Sequence, residues 1–220
     1  MNFSAEAALY SILRLRMVET QLRERGIRDE RVLAAMSRVP RHEFTPEAFR
    51  NQAYADHPSP IGEGQTISQP YIVALMLEAL ALKPADNVLE VGTGSGYVTA
   101  LLAELTVQVV SIERHVVLAD EARGVLARLG YTNIKVIAGD GTEGYEVNAP
   151  YDSIIVSAAA GEVPPALLTQ LAEGGRLIIP VGAPDAQQLQ LICMRSGRAE
   201  TTWRETCRFV PLVQGMTKPS

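Results

Sequence analysis

Three acidic residues each stand near the end of a short apolar run in the second half of the sequence. Glu90 lies in "VLEVGTGSGY", Glu113 ends "VQVVSIE" and Asp140 ends "IKVIAGD". If these runs are parallel strands, their carboxyl ends meet at one edge of a sheet, which is where open α/β sheets bind ligands. We therefore expect the three carboxylates to face one crevice.

A glycine-rich turn follows Glu90 and contains Gly92, Gly94 and Gly96. Glycines allow a tight turn and a close approach of the backbone to a ligand. The spacing is GxGxG, and Tyr97 stands where a dinucleotide fingerprint needs another glycine. A carboxylate at Glu90 suits a ligand that carries a cation, such as the sulfonium and ammonium of S-adenosylmethionine, better than it suits a pyrophosphate.

Glu113 comes 21 residues after Gly92, at a distance typical of an acid that accepts hydrogen bonds from both ribose hydroxyls. That spacing does not separate NAD from S-adenosylmethionine, since both contain this ribose. Asp140 could accept from an adenine amino group, with Gly141 giving room. Taken alone, Asp140 could equally be a solvated loop acid.

A stiff polar segment, "PIGEGQTISQP" at residues 60–70, precedes the glycine turn and contains no Lys, His or Cys. Ser68 has two interpretations within it. Local sequence favours a helix N-cap, because Ser is a preferred cap and Pro70 suits the first helical turn. The other interpretation is a hydroxyl that serves a substrate.

Composition bounds the classes of function. The chain has 220 residues, 47% of them hydrophobic and 20% charged, with a net charge of −5. No basic run stands out, so we expect neither nucleic acid nor a membrane as a partner. Cys193 and Cys207 match no metal motif, and His42, His57 and His115 form no ligand pair, so we expect reduced, buried thiols and no metal.

The first residues do not resemble a signal peptide, and the longest apolar run is interrupted by Glu78 and too short to span a bilayer. A cytoplasmic enzyme or binding protein is therefore the expectation. The first third is predicted to be helical over 5–25, to form a second helix capped by Asp29, and to form a loop up to a helix over 70–82.

From residue 87, β-rich runs alternate with helical ones, ending in a predicted helix "PPALLTQLAEGG" and three further strands, "RLIIPVG", "QLQLICMR" and "TWRETCRFVPL". This alternation predicts an α/β fold with a doubly wound, mostly parallel, seven-stranded sheet. The last two strands are expected to pair antiparallel at one edge. We expect a helical lobe and substrate loop over 1–83, and a ligand-binding core over 84–220.

Several stretches resemble the protein-L-isoaspartate (D-aspartate) O-methyltransferase family over about residues 17 to 215. They include "VPRHEF", "PIGEGQTIS", "VLEVGTGSGY", "SIER", "GDGTEGY" and "FVPL". The glycine turn is shared by many methyltransferases, whereas "PIG-GQTIS-P" and "FVPL" are particular to this family. The resemblance implies a Rossmann-like methyltransferase fold. It also implies S-adenosylmethionine as methyl donor, leaving S-adenosylhomocysteine, and isoaspartyl or D-aspartyl residues of damaged proteins and peptides as substrates.

The resemblance also implies the roles of individual residues. Ser68 corresponds to the family's active-site serine. The cofactor residues would be Glu90, Gly92, Gly94, Gly96, Glu113, Arg114, Leu118, Asp140 and Gly141. The substrate loop would comprise Ile61, Gly62, Gly64, Gln65, Thr66 and Ile67, with Val213 beside it. Ser59, Tyr97 and Ser157 depart from the family pattern, and Ser59 leaves the peptide preference open.

The implied reaction needs no general base, because a carboxylate is already ionised at neutral pH. Positioning and exclusion of water then become the main tasks of the site. Neutral donors suit a nucleophilic carboxylate better than a cation, which would hold it too tightly. The alternatives are a methyltransferase acting on ordinary aspartate or a small acid, a nicotinamide oxidoreductase, and a non-enzymatic S-adenosylmethionine-binding protein.

Overall fold

Helices and one hairpin make up the first part of the chain in the computed structural model, which describes residues 3–217. The elements are helix α1 (Phe3–Arg16), a π-helix (Met17–Arg23), helix α2 (Glu30–Arg38), 3-10 helices at Arg41–Phe44 and Glu47–Gln52, strands β1 (Ser59–Gly62) and β2 (Gln65–Ile67), and helix α3 (Pro70–Leu80). Asp29 caps α2, as predicted, by accepting from the N–H groups of Arg31 and Val32.

Seven strands and three helices follow. They are β3 (Asn87–Val91), α4 (Tyr97–Leu105), β4 (Gln108–Glu113), α5 (Val116–Arg128), β5 (Ile134–Ala138), β6 (Tyr151–Val156), α6 (Pro165–Thr169), β7 (Leu171–Ala183), β8 (Ala186–Arg195) and β9 (Arg198–Cys207). Short 3-10 helices lie at Gly141–Glu143 and Glu146–Asn148. The predicted alternation of strand and helix is confirmed.

The seven strands form one sheet in the order β5-β4-β3-β6-β7-β8-β9. Strands β3 to β7 run parallel, whereas β8 is antiparallel to both β7 and β9. The predicted antiparallel pair at one edge is therefore confirmed. The order reverses on either side of β3, and such a switch point opens a crevice at the carboxyl ends of the strands.

The apolar core explains why the central strands read as nearly continuous hydrophobic runs. Val88, Leu89, Val109, Val110 and Ile154 are completely buried, as expected for parallel strands covered on both faces. The core on one face also includes buried residues of α2 and α3, so the N-terminal helices pack against the sheet. The division at residue 83 stays a prediction.

Three local predictions were wrong. The substrate loop is a β-hairpin, since β1 and β2 pair antiparallel around a turn in which Glu63 and Gly64 have φ of 49° and 67°. The predicted helix over 164–175 ends at Thr169, because Leu171 pairs with Tyr151 and Gly174 and Gly175 disfavour a helix.

The third wrong prediction concerns the last strand, which ends at Cys207 and does not extend through "FVPL". The chain leaves the sheet after the pair of Gln187 with Cys207, and just beyond it the Gln187 side chain bonds to the Phe209 backbone. The chain crosses to the carboxyl end of β6, where Ala159 donates to the Val210 carbonyl and accepts from the Leu212 N–H, both at 2.7 Å. This crossing brings residues 210–213 over the crevice.

Candidate active site

A cavity of about 310 Å³ lies at the carboxyl ends of β3, β4 and β6, and we call it the first cavity. Its wall includes Gly92–Ser95 after β3, Glu113–His115 at the end of β4, Ser157 and Ala158 after β6, Gly141, part of the hairpin with Ser68, and Val210–Val213. Its size falls in the range of small-molecule sites. The crevice predicted from the strand ends therefore exists.

Glu113 joins the end of β4 to the glycine turn. One carboxylate oxygen accepts from the Gly94 N–H and the other accepts from the His115 N–H, both at 2.9 Å. The residue is only 5% exposed, yet it lines the first cavity. Each oxygen keeps a second lone pair, so the carboxylate can still accept hydrogen bonds from a pair of hydroxyls on a ligand.

The glycine turn owes its composition to backbone conformation and close packing. Gly94 has φ of 53°, and a Cβ there would lie 3.2 Å from Ile61 Cδ1 of the hairpin. At the cavity floor, a Cβ on Gly141 would overlap Val91 Cγ1. Both positions therefore favour glycine and leave the backbone open to the first cavity.

Glu90 does not face the cavity, which corrects the prediction that it contacts a cationic ligand. Its side chain is completely buried, and one oxygen accepts from the hydroxyls of Thr99 (2.5 Å) and Ser111 (2.6 Å). Burial raises the pKa of Glu90 to about 8, although the bonds from Ser111 and Thr99 oppose the rise. Side chains alternate between the two faces of a strand. The Glu90 side chain points to the face on which Thr99 of α4 lies.

Asp140 binds the segment around Gly215. Its carboxylate accepts from the N–H of Gly215 (2.5 Å), and from the N–H and hydroxyl of Thr142 (2.9 and 2.7 Å). Partial burial would raise the pKa of Asp140, but these bonds outweigh it and the pKa is lowered. Gly141, not Asp140, forms part of the wall of the first cavity.

A second cavity, of about 430 Å³, adjoins the first. It is lined by Pro58, Thr66, Ser68, Gln69 and Ile72, by Ser157, and by Thr206–Val210. Four residues line both cavities: Thr66, Ser68, Ser157 and Val210. We call these four the shared boundary; all are uncharged and three carry hydroxyls.

Ser68 belongs to this boundary and does not cap α3. Gln69 occupies the N-cap position, with Pro70 at the first helical position and no side-chain cap. Within residues 3–217, the Ser68 hydroxyl accepts from no helix N–H, whereas its backbone carbonyl accepts from Arg41 at 2.8 Å. The cap interpretation is therefore wrong, and the hydroxyl is free for a ligand.

The predicted site residues fall into two groups. Those that line the first cavity are Gln65, Thr66, Ile67, Ser68, Gly92, Gly94, Glu113, Arg114, Gly141 and Val213. Those outside the walls of both cavities, as far as the structure describes the chain, are Ile61, Gly62, Gly64, Glu90, Gly96, Leu118 and Asp140. Some residues of the second group pack outside the cavity wall. Gly62 lies against Leu118, and Gly96 lies against Ala122 and Leu126.

The three departures from the family pattern lie in different places. Ser59 is 2% exposed inside the hairpin, away from both cavities. Tyr97 is 1% exposed, and it reaches the first cavity while packing edge-on against Phe44. Ser157 lies on the shared boundary.

Sequence reasoning missed several wall residues. Ser157 follows β6, so the strand-end rule that found Glu113 applied to it as well. His115 had no such signal, because its surroundings come from distant segments. Its Nδ1 lies 3.5 Å from the Glu63 carboxylate in the hairpin turn and 3.2 Å from the Thr217 hydroxyl.

Neither a metal site nor a membrane-spanning helix is found in the part of the chain that the structure describes. No group of three or more His, Cys, Asp or Glu side chains in residues 3–217 is placed to hold a metal ion. Over the same residues, no helix combines the length and the apolar character that crossing a membrane requires. Cys193 and Cys207 are free thiols, but both are half-buried, so the prediction that they are buried was wrong.

The residues of the first cavity fit S-adenosylmethionine or its product. Glu113 offers carboxylate oxygens beside the glycine turn, and Val91, Ile112 and Leu212 add apolar wall. The mix of a few polar groups with apolar surface is typical of a nucleoside site. No further cation or phosphate-binding lysine is needed for such a ligand.

Comparison with known proteins agrees with this fit. The sequence model of the protein-L-isoaspartate (D-aspartate) O-methyltransferase family matches residues 14–217. A protein-L-isoaspartate O-methyltransferase of Koribacter versatilis is 57% identical over 97% of this chain and 96% of its own length. One from Methanoculleus marisnigri is 57% identical over 90% of each chain.

A solved structure agrees as well. It is a candidate protein-L-isoaspartate O-methyltransferase from Plasmodium falciparum, in complex with S-adenosyl-L-homocysteine. It is 31% identical, with a TM-score of 0.78, over 91% of this chain and 98% of that one. On this agreement of sequence, fold and site, the chain belongs to the protein-L-isoaspartate (D-aspartate) O-methyltransferase family, whose members are S-adenosylmethionine-dependent enzymes.

Proposed function

We propose that this chain methylates the free α-carboxylate of isoaspartyl residues in damaged proteins and peptides, with S-adenosylmethionine as methyl donor. The first cavity takes the methyl donor and the second takes the peptide. The observation that carries this assignment is the shared boundary, where Ser68, Thr66 and Ser157 line both cavities. The resulting ester can close to a succinimide without the enzyme, which allows partial return to aspartate.

The chemistry of the shared boundary suits a carboxylate nucleophile. When bound, S-adenosylmethionine supplies an electrophilic methyl group and a neutral leaving group. The chain needs no residue to accept a proton, since the carboxylate is ionised at neutral pH. The hydroxyl of Ser68 can donate to one carboxylate oxygen and leave the other free to attack, whereas a cation at this place would reduce its reactivity.

The walls of the two cavities suggest how each ligand is held. Glu113 and the backbone of the glycine turn would bind the ribose and the methionine part of the methyl donor. Arg208 and Phe209 line the second cavity and would contact the substrate peptide. Val210 and its neighbours cross the crevice and exclude water. The cytoplasmic location expected from the sequence stays a prediction.

The test uses two peptides of identical composition, one with aspartate and one with isoaspartate, and labelled S-adenosylmethionine. We expect base-labile label in the isoaspartyl peptide alone. Equal labelling of both peptides would contradict the proposal for the substrate, and label stable to base would contradict an ester product.

Ser68→Ala tests the proposed role of the hydroxyl. Loss of a hydrogen bond to a charged group should lower kcat/KM by roughly 10- to 100-fold. The melting temperature should not change, because the hydroxyl caps no helix. Ser37→Ala is the matched control, since its half-buried hydroxyl bonds only to the Ala34 carbonyl on α2. Normal turnover of Ser68→Ala would remove Ser68 from the mechanism.

A further inference from the structure

Arg41 is a buried charged residue, and the proposed reaction does not require a charge at its position. It begins the 3-10 helix Arg41–Phe44 and is 1% exposed. In residues 3–217 it forms no ion pair with a carboxylate, although an arginine that is almost fully buried usually has one. Burying a charge without a counter-charge is unfavourable unless hydrogen bonds replace its water.

The hydrogen bonds of Arg41 lead to the site. Its Nε donates to the Ala53 carbonyl at 2.7 Å, and its Nη2 donates to the Ser68 carbonyl at 2.8 Å. Ala53 precedes the β1–β2 hairpin and Ser68 follows it. The planar guanidinium therefore holds both ends of the segment that carries the hairpin to the cavities.

A third contact reaches the first cavity. The guanidinium carbon lies 4.8 Å from the centre of the Tyr97 ring, and Tyr97 lines that cavity. Arg41 itself is absent from the walls of both cavities in the described chain, so it cannot grip a substrate carboxylate. Its action on the reaction must pass through the residues that it holds.

We propose that Arg41 is a positioning residue for methyl transfer: by fixing the backbone of Ser68, it sets where the Ser68 hydroxyl meets the substrate. The inference rests on the role of Ser68 proposed above. It explains how a charge can place a neutral hydroxyl: the guanidinium binds the backbone carbonyl of Ser68 and not its hydroxyl. It also gives the buried arginine of "VPRHEF" a purpose in the reaction.

The test is a double-mutant cycle of Arg41 and Ser68. Arg41→Lys keeps the charge but cannot span two carbonyls, and Arg41→Met removes the charge. We expect Arg41→Lys to lower kcat/KM for an isoaspartyl peptide by about tenfold and Arg41→Met by more, with the Kd of S-adenosylmethionine unchanged within about twofold. In the Ser68→Ala background, Arg41→Lys should change kcat/KM by less than about twofold.

Several outcomes would overturn the inference. Additive effects of Arg41→Lys and Ser68→Ala would show that Arg41 does not act through Ser68, and a lowered melting temperature with normal turnover would show a purely structural role. If Arg41→Met does not fold, the Arg41→Lys cycle alone decides. Normal turnover of Ser68→Ala alone would instead refute the role of Ser68, on which the inference rests.

Arg31→Met is the control for loss of an arginine that binds backbone carbonyls. Arg31 donates to the carbonyls of Leu82 and Leu105, and neither of these residues lines the two cavities in the described structure. We expect this variant to lose stability but to keep its kcat/KM at temperatures where it is folded. A loss equal to that of Arg41→Met would count against a specific role for Arg41.

Discussion

Glu113 accepts a hydrogen bond from the backbone N–H of Gly94 at 2.9 Å, so one carboxylate fixes the glycine turn and also lines the first cavity. The bond joins the end of β4 to the loop after β3, which are neighbouring strands. A change at Glu113 should therefore alter ligand binding in two ways, through the lost acceptor and through a looser turn.

Glu113→Ala should weaken S-adenosylmethionine binding by roughly 10- to 100-fold, since a hydrogen bond to a charged group contributes ~1.5–3 kcal/mol. Isothermal titration calorimetry measures this directly. Glu121→Ala on α5 is the control, because that acid is exposed and lies outside both cavities in the described structure. An unchanged Kd for Glu113→Ala would contradict the placement of the ribose at this carboxylate.

The buried carboxyl of Glu90 predicts a pH-dependent stability. Its folded pKa of about 8 lies above the ordinary 4.5, so the folded state holds this proton more tightly than the unfolded state. The protonated Glu90 carboxyl makes its full contribution to the free energy of unfolding below pH 4.5. This contribution is lost as pH rises to 8, by up to ~1.4 kcal/mol per pH unit. Urea unfolding from pH 5 to 8.5 measures it.

Glu90→Gln serves as the comparison, because glutamine resembles the protonated acid but does not titrate. We expect the variant to gain stability relative to the wild type as pH rises through this window. Parallel stability curves for the two proteins would show that Glu90 is ionised in the fold.

The close packing of Gly141 against Val91 predicts a coupling between the two positions. Gly141→Ala should destabilise the protein by ~1–3 kcal/mol, since the added methyl overlaps Val91 Cγ1. The same change should cost less in a Val91→Ala background, because the shorter side chain removes the overlap. Gly124→Ala on α5 is the control, because a Cβ there meets nothing within 4 Å and should be neutral or stabilising. Thermal unfolding of the four variants decides.

The hydrogen bond between Asp140 and the Gly215 N–H predicts a local effect on amide exchange near Gly215. Asp140→Asn should weaken the bond to the Gly215 N–H and speed amide exchange over residues 212–217, while the core strands keep their protection. Hydrogen exchange with mass spectrometry measures this. Thr142→Val is the comparison, because it removes a bond to the same carboxylate without touching Gly215. Equal exchange in all three proteins would exclude Asp140 as the anchor of this segment.

Features that depend on local pattern could be predicted from the sequence. The β3–β7 strands follow from apolar runs between helical ones, and Glu113 and Gly141 follow from the rule that ligands lie at strand carboxyl ends. The same rule misplaced Glu90, because it lies one residue before the end of β3, and alternation turns its side chain away from the cavity. The position of Glu90 along its strand could be predicted from the sequence, but the face of the sheet to which its side chain points could not.

Other features depend on contacts between distant segments and could not be predicted. The hairpin depends on the pairing of Ser59 with Ile67 and on a turn with two positive φ angles. From sequence alone, "PIGEGQTIS" predicted only a loop. In the sequence, nothing distinguishes Arg41 from the arginines that lie on the surface. Only the folded structure shows that it is buried and contacts Ser68.

The sequence by itself determined the α/β class, the glycine turn, the place of Glu113 at the end of a strand, and the family, because each depends on neighbouring residues or on recurring spacing. Only the tertiary structure decided that Ser68 lies between two cavities and does not cap α3, and that a buried arginine holds its carbonyl. The physical reason is that these contacts join segments far apart in the chain, and packing, not local preference, selects them.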